Sequence, residues 1–204
     1  VGREPDVDPG DFRLGVCLHE EAHRVQFTAV PWLREHVVSA ARDLLVDMAP
    51  TPEEMATRVG EIAKRVPEAF KEGSMGLSDI FATPEQRTRM ADLAAVMSLL
   101  EGHADVVMDD VGPQIVPSVE TIRARFGDRR AGLGNIDKLL RRLMGLEAKM
   151  RQYRDGAAFV RGVQEKVGID GFNAVWAAPE NLPTPAEIQR PQLWVERIHG
   201  SLFR

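Results

Sequence analysis

Apolar residues recur at helical spacing along most of the chain, and strand-like alternation is scarce. A first helix carries Phe12, Val16, His19, His23 and Phe27 on related faces. Asp11 is placed to cap it, and Pro31, which has no amide to donate, ends it. A second amphipathic stretch follows through Leu33, Val37, Ala40, Ala41, Leu44 and Leu45. Thr51-Pro52-Glu53-Glu54 places a cap, a first-turn proline and an acid at the third position, which starts a third helix running to about Lys71. Thr83-Pro84-Glu85-Gln86 repeats that chemistry after a loop at Gly73 and Gly76 and starts a fourth helix reaching about Asp110.

Further helical patterns cover 118–126, 135–153, 157–167 and 191–202, with breaks expected at Gly127, Gly156, Gly168 and Pro183. The proline-rich stretch from Pro179 to Pro191 is loosely patterned and is expected to wrap the surface. The fold class predicted is mainly α with little or no sheet. No repeat or low-complexity linker divides the chain, so residues 1–204 are expected to form a single domain.

Composition narrows the function. A net charge of -5 with interspersed signs provides no basic stripe, which argues against nucleic acid as a partner. No apolar run approaches the roughly 20 residues needed to span a bilayer, so no membrane partner is expected. Cys17 is the only cysteine, which excludes an intramolecular disulfide and a multi-cysteine zinc site and fits a cytoplasmic location.

The chemistry concentrates in Val16-Cys17-Leu18-His19-Glu20-Glu21-Ala22-His23. His-Glu-x-x-His within a helix sets two imidazoles on one face, as two metal ligands require. Glu20 is turned about 100° from His19; it can reach a water on the metal and has the role of general base. Catalytic zinc takes three protein ligands and keeps a position for water, so one more His, Asp or Glu is needed. Glu101 supplies it, on a helix from Ala94 to Val107 that is apolar on nearly every face. An ionised carboxylate buried there needs a strong partner, and a metal is one of the few. Asp105, one turn on, is placed to accept the second ring hydrogen of a ligating histidine, with an ion pair to Arg24 as the plainer alternative. His103 points to another side of the helix, where a cap or core hydrogen bond suits it.

Tyr153, the only tyrosine, is placed at an expected helix end, where its hydroxyl could stabilise an oxyanion. Lys138, Arg141 and Arg142 read as a solvated helix face. Cys17 should point off the metal face into packing, and Trp32, Trp176 and Trp194 read as core anchors.

His19-Glu20-x-x-His23 followed by Glu101-x-x-Ala-Asp105 resembles the gluzincin metallopeptidases, whose third ligand is a glutamate in a Glu-x-x-x-Asp helix. Asp11-Phe12-Arg13-Leu14, Phe27-Thr28-Ala29-Val30-Pro31-Trp32, Leu99-Leu100-Glu101-Gly102-His103-Ala104-Asp105 and Gly145-Leu146-Glu147-x-Lys149-x-x-Gln152-Tyr153 are similar to a family of uncharacterised actinobacterial zincin-like hydrolases. Some of its members are named for association with biosynthesis of a deazaflavin coenzyme, which implies gene context rather than chemistry. The resemblance implies a zincin-like domain, a zinc ion on His19, His23 and Glu101, and hydrolysis of a peptide or small amide substrate.

Two departures qualify that expectation. Glu21 and Arg24 are charged where zincin helices usually are not, and Gly15 replaces a bulkier residue. The motif also lies close to Val1, whereas zincins usually place a sheet upstream; the chain is then either the C-terminal part of a longer protein or has an unusual cleft. Other readings are a helical scaffold with a structural zinc and an inactive zincin relative.

Overall fold

Four of the six α-helices among the described residues begin on proline, where the missing amide costs nothing because the first N–H groups of a helix have no intrahelical acceptor. In the computed structural model, residues 9–48, 83–115 and 146–200 are described, and among them helices and turns occur with no strand. The helices are α1 (Pro9–Ala29), α2 (Leu33–Met48), α3 (Pro84–Ile115), α4 (Leu146–Phe172), α5 (Pro185–Gln189) and α6 (Pro191–His199). Short 3-10 turns at Asn173–Trp176 and Pro179–Asn181 link α4 to α5. The helices expected over 51–71 and 118–126, and the basic run at Lys138, Arg141 and Arg142, lie outside the described residues.

Local chemistry accounts for the boundaries. α1 starts two residues before the expected cap, leaving Asp11 inside its first turn, where an acid favours the positive end of the helix dipole. Thr83 and Gln86 form a reciprocal pair: the Gln86 amide donates to Thr83 Oγ1 at 3.2 Å and the Thr83 amide to Gln86 Oε1 at 2.8 Å. Gln86 Nε2 then donates to the Asp47 carbonyl, fastening the end of α2 to the start of α3.

α3 is the central helix and packs against α1, α2, α4 and α5. Its Leu99, Leu100 and Val106 join Leu33 from α2, Phe159, Val160 and Val163 from α4, and Trp194 from α6 in one core. The expected break at Gly156 does not occur: α4 runs straight through it. Gly156 and Gly102 bring α3 and α4 into backbone contact, since a Cβ on Gly156 would overlap the Ser98 carbonyl oxygen and one on Gly102 would overlap the Gly156 backbone. The glycine serves close approach, and that packing offsets the roughly 0.5–1 kcal/mol a mid-helix glycine costs. At Gly168 the break is real: φ of 72° is left-handed backbone, and α4 kinks there.

The stretch from Pro179 to Pro191 is more structured than its pattern suggests. Leu182, Ile188 and Glu187 are buried. Thr184 and Glu187 form a second reciprocal cap on α5, Trp194 donates its indole N–H to the Asn181 carbonyl at 2.7 Å, and Arg197 reaches Glu187 at 2.6 Å and the carbonyls of Glu180 and Leu182. Its partners come from α6, downstream of the segment itself. No helix among the described residues is long and apolar enough to cross a membrane.

Candidate metal centre

Two histidines one helical turn apart and a glutamate 82 residues from the first are brought to one point where α1 crosses α3. The four-residue interval puts His19 and His23 on the face of α1 that meets α3, their rings edge to face at 4.7 Å. Glu101 Oε2 lies 3.3 Å from His19 Nε2 and 3.5 Å from His23 Nε2, and the two Nε2 atoms are 3.1 Å apart. The three atoms thus form a nearly equilateral triangle. A tetrahedral zinc with bonds of about 2.0–2.1 Å separates its ligand atoms by about 3.3–3.4 Å, a value that the three sides bracket. Two imidazole nitrogens and a carboxylate oxygen are also a donor set that zinc takes. His19, His23 and Glu101 could therefore hold a metal ion, and among the described residues no other such group of His, Cys, Asp and Glu is found.

The electrostatics agree with the geometry. Hydrogen bonds from His19 and then His23 hold the Glu101 carboxyl down to about 2 against the upward push of burial, so it is ionised at any working pH. His23 is raised above its ordinary value, first by its hydrogen bond to Glu101, with the charge of Glu20 a minor contributor.

Each imidazole has a polar neighbour behind it, within hydrogen-bond distance only for His23. Asp105 Oδ1 lies 3.8 Å from His19 Nδ1, on the side away from Glu101. His23 Nδ1 donates to Gln26 Oε1 at 2.9 Å. Gln26 is buried, and its Nε2 donates to the Leu100 carbonyl at 2.9 Å and to His103 Nδ1 at 3.0 Å. His103 stacks on Phe172 with 11° between the rings and meets Trp176 edge-on. Burial lowers its pKa to about 4, which keeps it neutral and able to accept. The hydrogen bond expected of His103 is thus present, but its partner Gln26 is not one the His-Glu-x-x-His spacing points to. The available signal was position: Gln26 follows His23 by three residues and therefore shares the face of the two histidines.

The remaining candidates fall as follows. Glu20 is exposed on α1 beside His19, turned off the α3 contact. Arg24 pairs with Glu21 at 2.5 Å in solvent, so the two unusual charges on α1 neutralise one another away from the site. Cys17 is exposed and not packed in the core, because two residues of helix turn it away from the one face of α1 that α3 covers. Tyr153 lies inside α4 and not at a helix end, since Gly156 ends nothing; its side chain is outside the described part. Trp194 is fully buried, and Trp32 and Trp176 pack against the core, with the Trp32 indole donating to the Trp176 carbonyl at 3.2 Å.

No curated protein matches the sequence. A crystal structure from Chloroflexus aurantiacus, described as "a putative hydrolase with a novel fold", aligns at 32% identity with a TM-score of 0.61, covering 94% of this chain and 53% of its own. The chain spans about half the length of that protein. Residues 1–195 match the family of zincin-like metallopeptidases, a match that takes in both halves of the site and nearly the whole sequence, and the chain belongs to that family.

Proposed function

We propose that this chain is a zinc-dependent hydrolase of peptide or small amide bonds, with His19, His23 and Glu101 as the metal ligands and Glu20 as the general base. The observation that carries the reading is the triangle of His19 Nε2, His23 Nε2 and Glu101 Oε2, with a free carboxylate one residue from its first corner. Zinc in that position would supply Lewis acidity, polarising a carbonyl and lowering the pKa of a water ligand toward about 7. Glu20, exposed and held by the helix beside His19, takes a proton from the attacking water and delivers it to the leaving amine, so that the carboxylate is restored at the end of each cycle. Asp105 behind His19 stabilises the tautomer whose Nε2 lone pair is free to ligate. The His19 and His23 side chains retain 25% and 20% of their exposure, which supports an accessible position at the metal over a closed structural site. With its lone cysteine exposed, the protein is assigned to a reducing compartment, the cytoplasm.

The test is metal analysis joined to a peptide and small-amide screen. One zinc per chain and turnover that a chelator abolishes are expected. Glu20→Gln should keep the zinc and lower turnover by about 10²–10⁴, whereas His23→Ala should lose both. Loss of zinc from Glu20→Gln would make Glu20 a ligand, and zinc-loaded protein that turns over none of these substrates would leave the ion a structural role.

A further inference from the structure

Three polar side chains run in line from the metal centre into the core between α1, α3 and the end of α4. His23 Nδ1 meets Gln26 Oε1 at 2.9 Å, and Gln26 Nε2 meets His103 Nδ1 at 3.0 Å and the Leu100 carbonyl at 2.9 Å. The orientation of the Gln26 amide follows from its surroundings. A carbonyl oxygen can only accept, so the end of Gln26 facing Leu100 must be the NH2, and the oxygen must face His23. His23 then carries a proton on Nδ1, which assigns Nε2, the atom facing Glu101 and His19, as its metal-binding nitrogen. His103 must accept at Nδ1, so its own proton is on Nε2. Phe172 and Trp176 fix the His103 ring from two directions, one stacked and one edge-on.

We infer that Gln26 and His103 are positioning residues: His103 anchors the Gln26 amide, and Gln26 fixes the tautomer and aim of His23 as a metal ligand. The inference rests on the proposed metal site, but makes a claim that site does not require. Asp105 on one histidine and Gln26 on the other give the two imidazoles different supports, one a carboxylate and one a neutral amide. A carboxylate would hold its ring by charge; a neutral amide holds His23 by direction alone and depends on a second neighbour to stay aligned. His103 is that neighbour, although it touches no ligand.

The test measures metal binding without turnover. Wild type, Gln26→Leu, His103→Leu and the double variant are titrated with zinc against a chromophoric chelator, and the visible spectrum of each cobalt-substituted protein is recorded. Gln26→Leu should weaken zinc by about 10–100-fold and alter the cobalt bands, because His23 can then rotate. His103→Leu should weaken zinc less, and in the Gln26→Leu background should add nothing, since it acts only through Gln26. Wild-type affinity and an unchanged cobalt spectrum in folded Gln26→Leu would overturn the inference while leaving the metal site standing. Additive losses would overturn the role given to His103. If Gln26→Leu does not fold, His103→Leu decides: a weakened, spectrally altered site supports the chain of contacts, and an unaltered one overturns it. A wild-type protein that takes up neither metal removes the metal site itself, and this inference with it.

Discussion

The residues of the candidate site are few, and their environments differ. Glu101 is ionised at working pH because two imidazoles hold its carboxyl down to about 2. Glu101→Gln keeps the shape and deletes the charge, so zinc affinity in a chelator competition should fall at least tenfold, roughly the loss that disturbing a metal's surroundings brings; an unchanged affinity would take Glu101 out of the ligand set. Glu20 has the same side chain as Glu101 but is exposed, which suits a group that must exchange protons. The meeting of His19, His23 and Glu101 was legible in the sequence, because a charge on an otherwise apolar helix has few explanations and the His-Glu-x-x-His spacing fixes which groups share a face. Gln26 was legible only as a position on the histidine face, and its role was not. A glutamine on an amphipathic helix looks like surface until the covering helix is known, and here the cover is α3, contributed by residues more than seventy positions away.

At the scale of helices, the caps and prolines were readable because their chemistry is local: Thr83, Pro84 and Gln86 suffice to start α3. Glycine was ambiguous for the opposite reason. Gly156 and Gly168 look alike in sequence, yet one permits helix contact and the other provides a left-handed kink, and only the neighbouring helix tells them apart. The difference predicts opposite responses to a methyl group. Gly156→Ala forces apart a backbone contact and should destabilise by at least the 1–3 kcal/mol typical of overpacking, seen as a lower denaturant midpoint. At Gly168 no neighbour obstructs a Cβ, so the cost of Gly168→Ala is the conformational penalty of roughly 1–2 kcal/mol. If Gly156→Ala proves the milder of the two, the close crossing of α3 and α4 is not a tight one.

At the scale of the whole molecule, two of the contacts that join separate elements bear directly on stability. One is the α5–α6 cap, where Arg197 neutralises Glu187, whose side chain is only 7% exposed. Burial pushes the Glu187 pKa up, but the Arg197 and Thr184 hydrogen bonds outweigh it and leave the carboxyl below its ordinary value. A depressed folded pKa contributes stability above the unfolded value of about 4.5 and loses it as pH falls toward the folded one. Arg197→Met should therefore destabilise the fold at neutral pH through an unpaired buried carboxylate, by up to about 3–5 kcal/mol, seen as a lower melting temperature, and the gap from wild type should narrow on acidification as Glu187 protonates. A gap independent of pH would assign the loss to packing of the arginine stem. The sequence hid this pair because its members lie on two different helices, α5 and α6, so no helical spacing relates them.

The other contact spans the 82-residue interval between His19 and Glu101. In a chain with one cysteine, no covalent bond between side chains can tie such distant points. An ion held there would do so, and only the folded chain brings all three ligands together. Stability would then contain a concentration: free zinc at a hundred times its dissociation constant adds about 2.7 kcal/mol, and a cell poor in zinc would hold a less durable copy of the same protein.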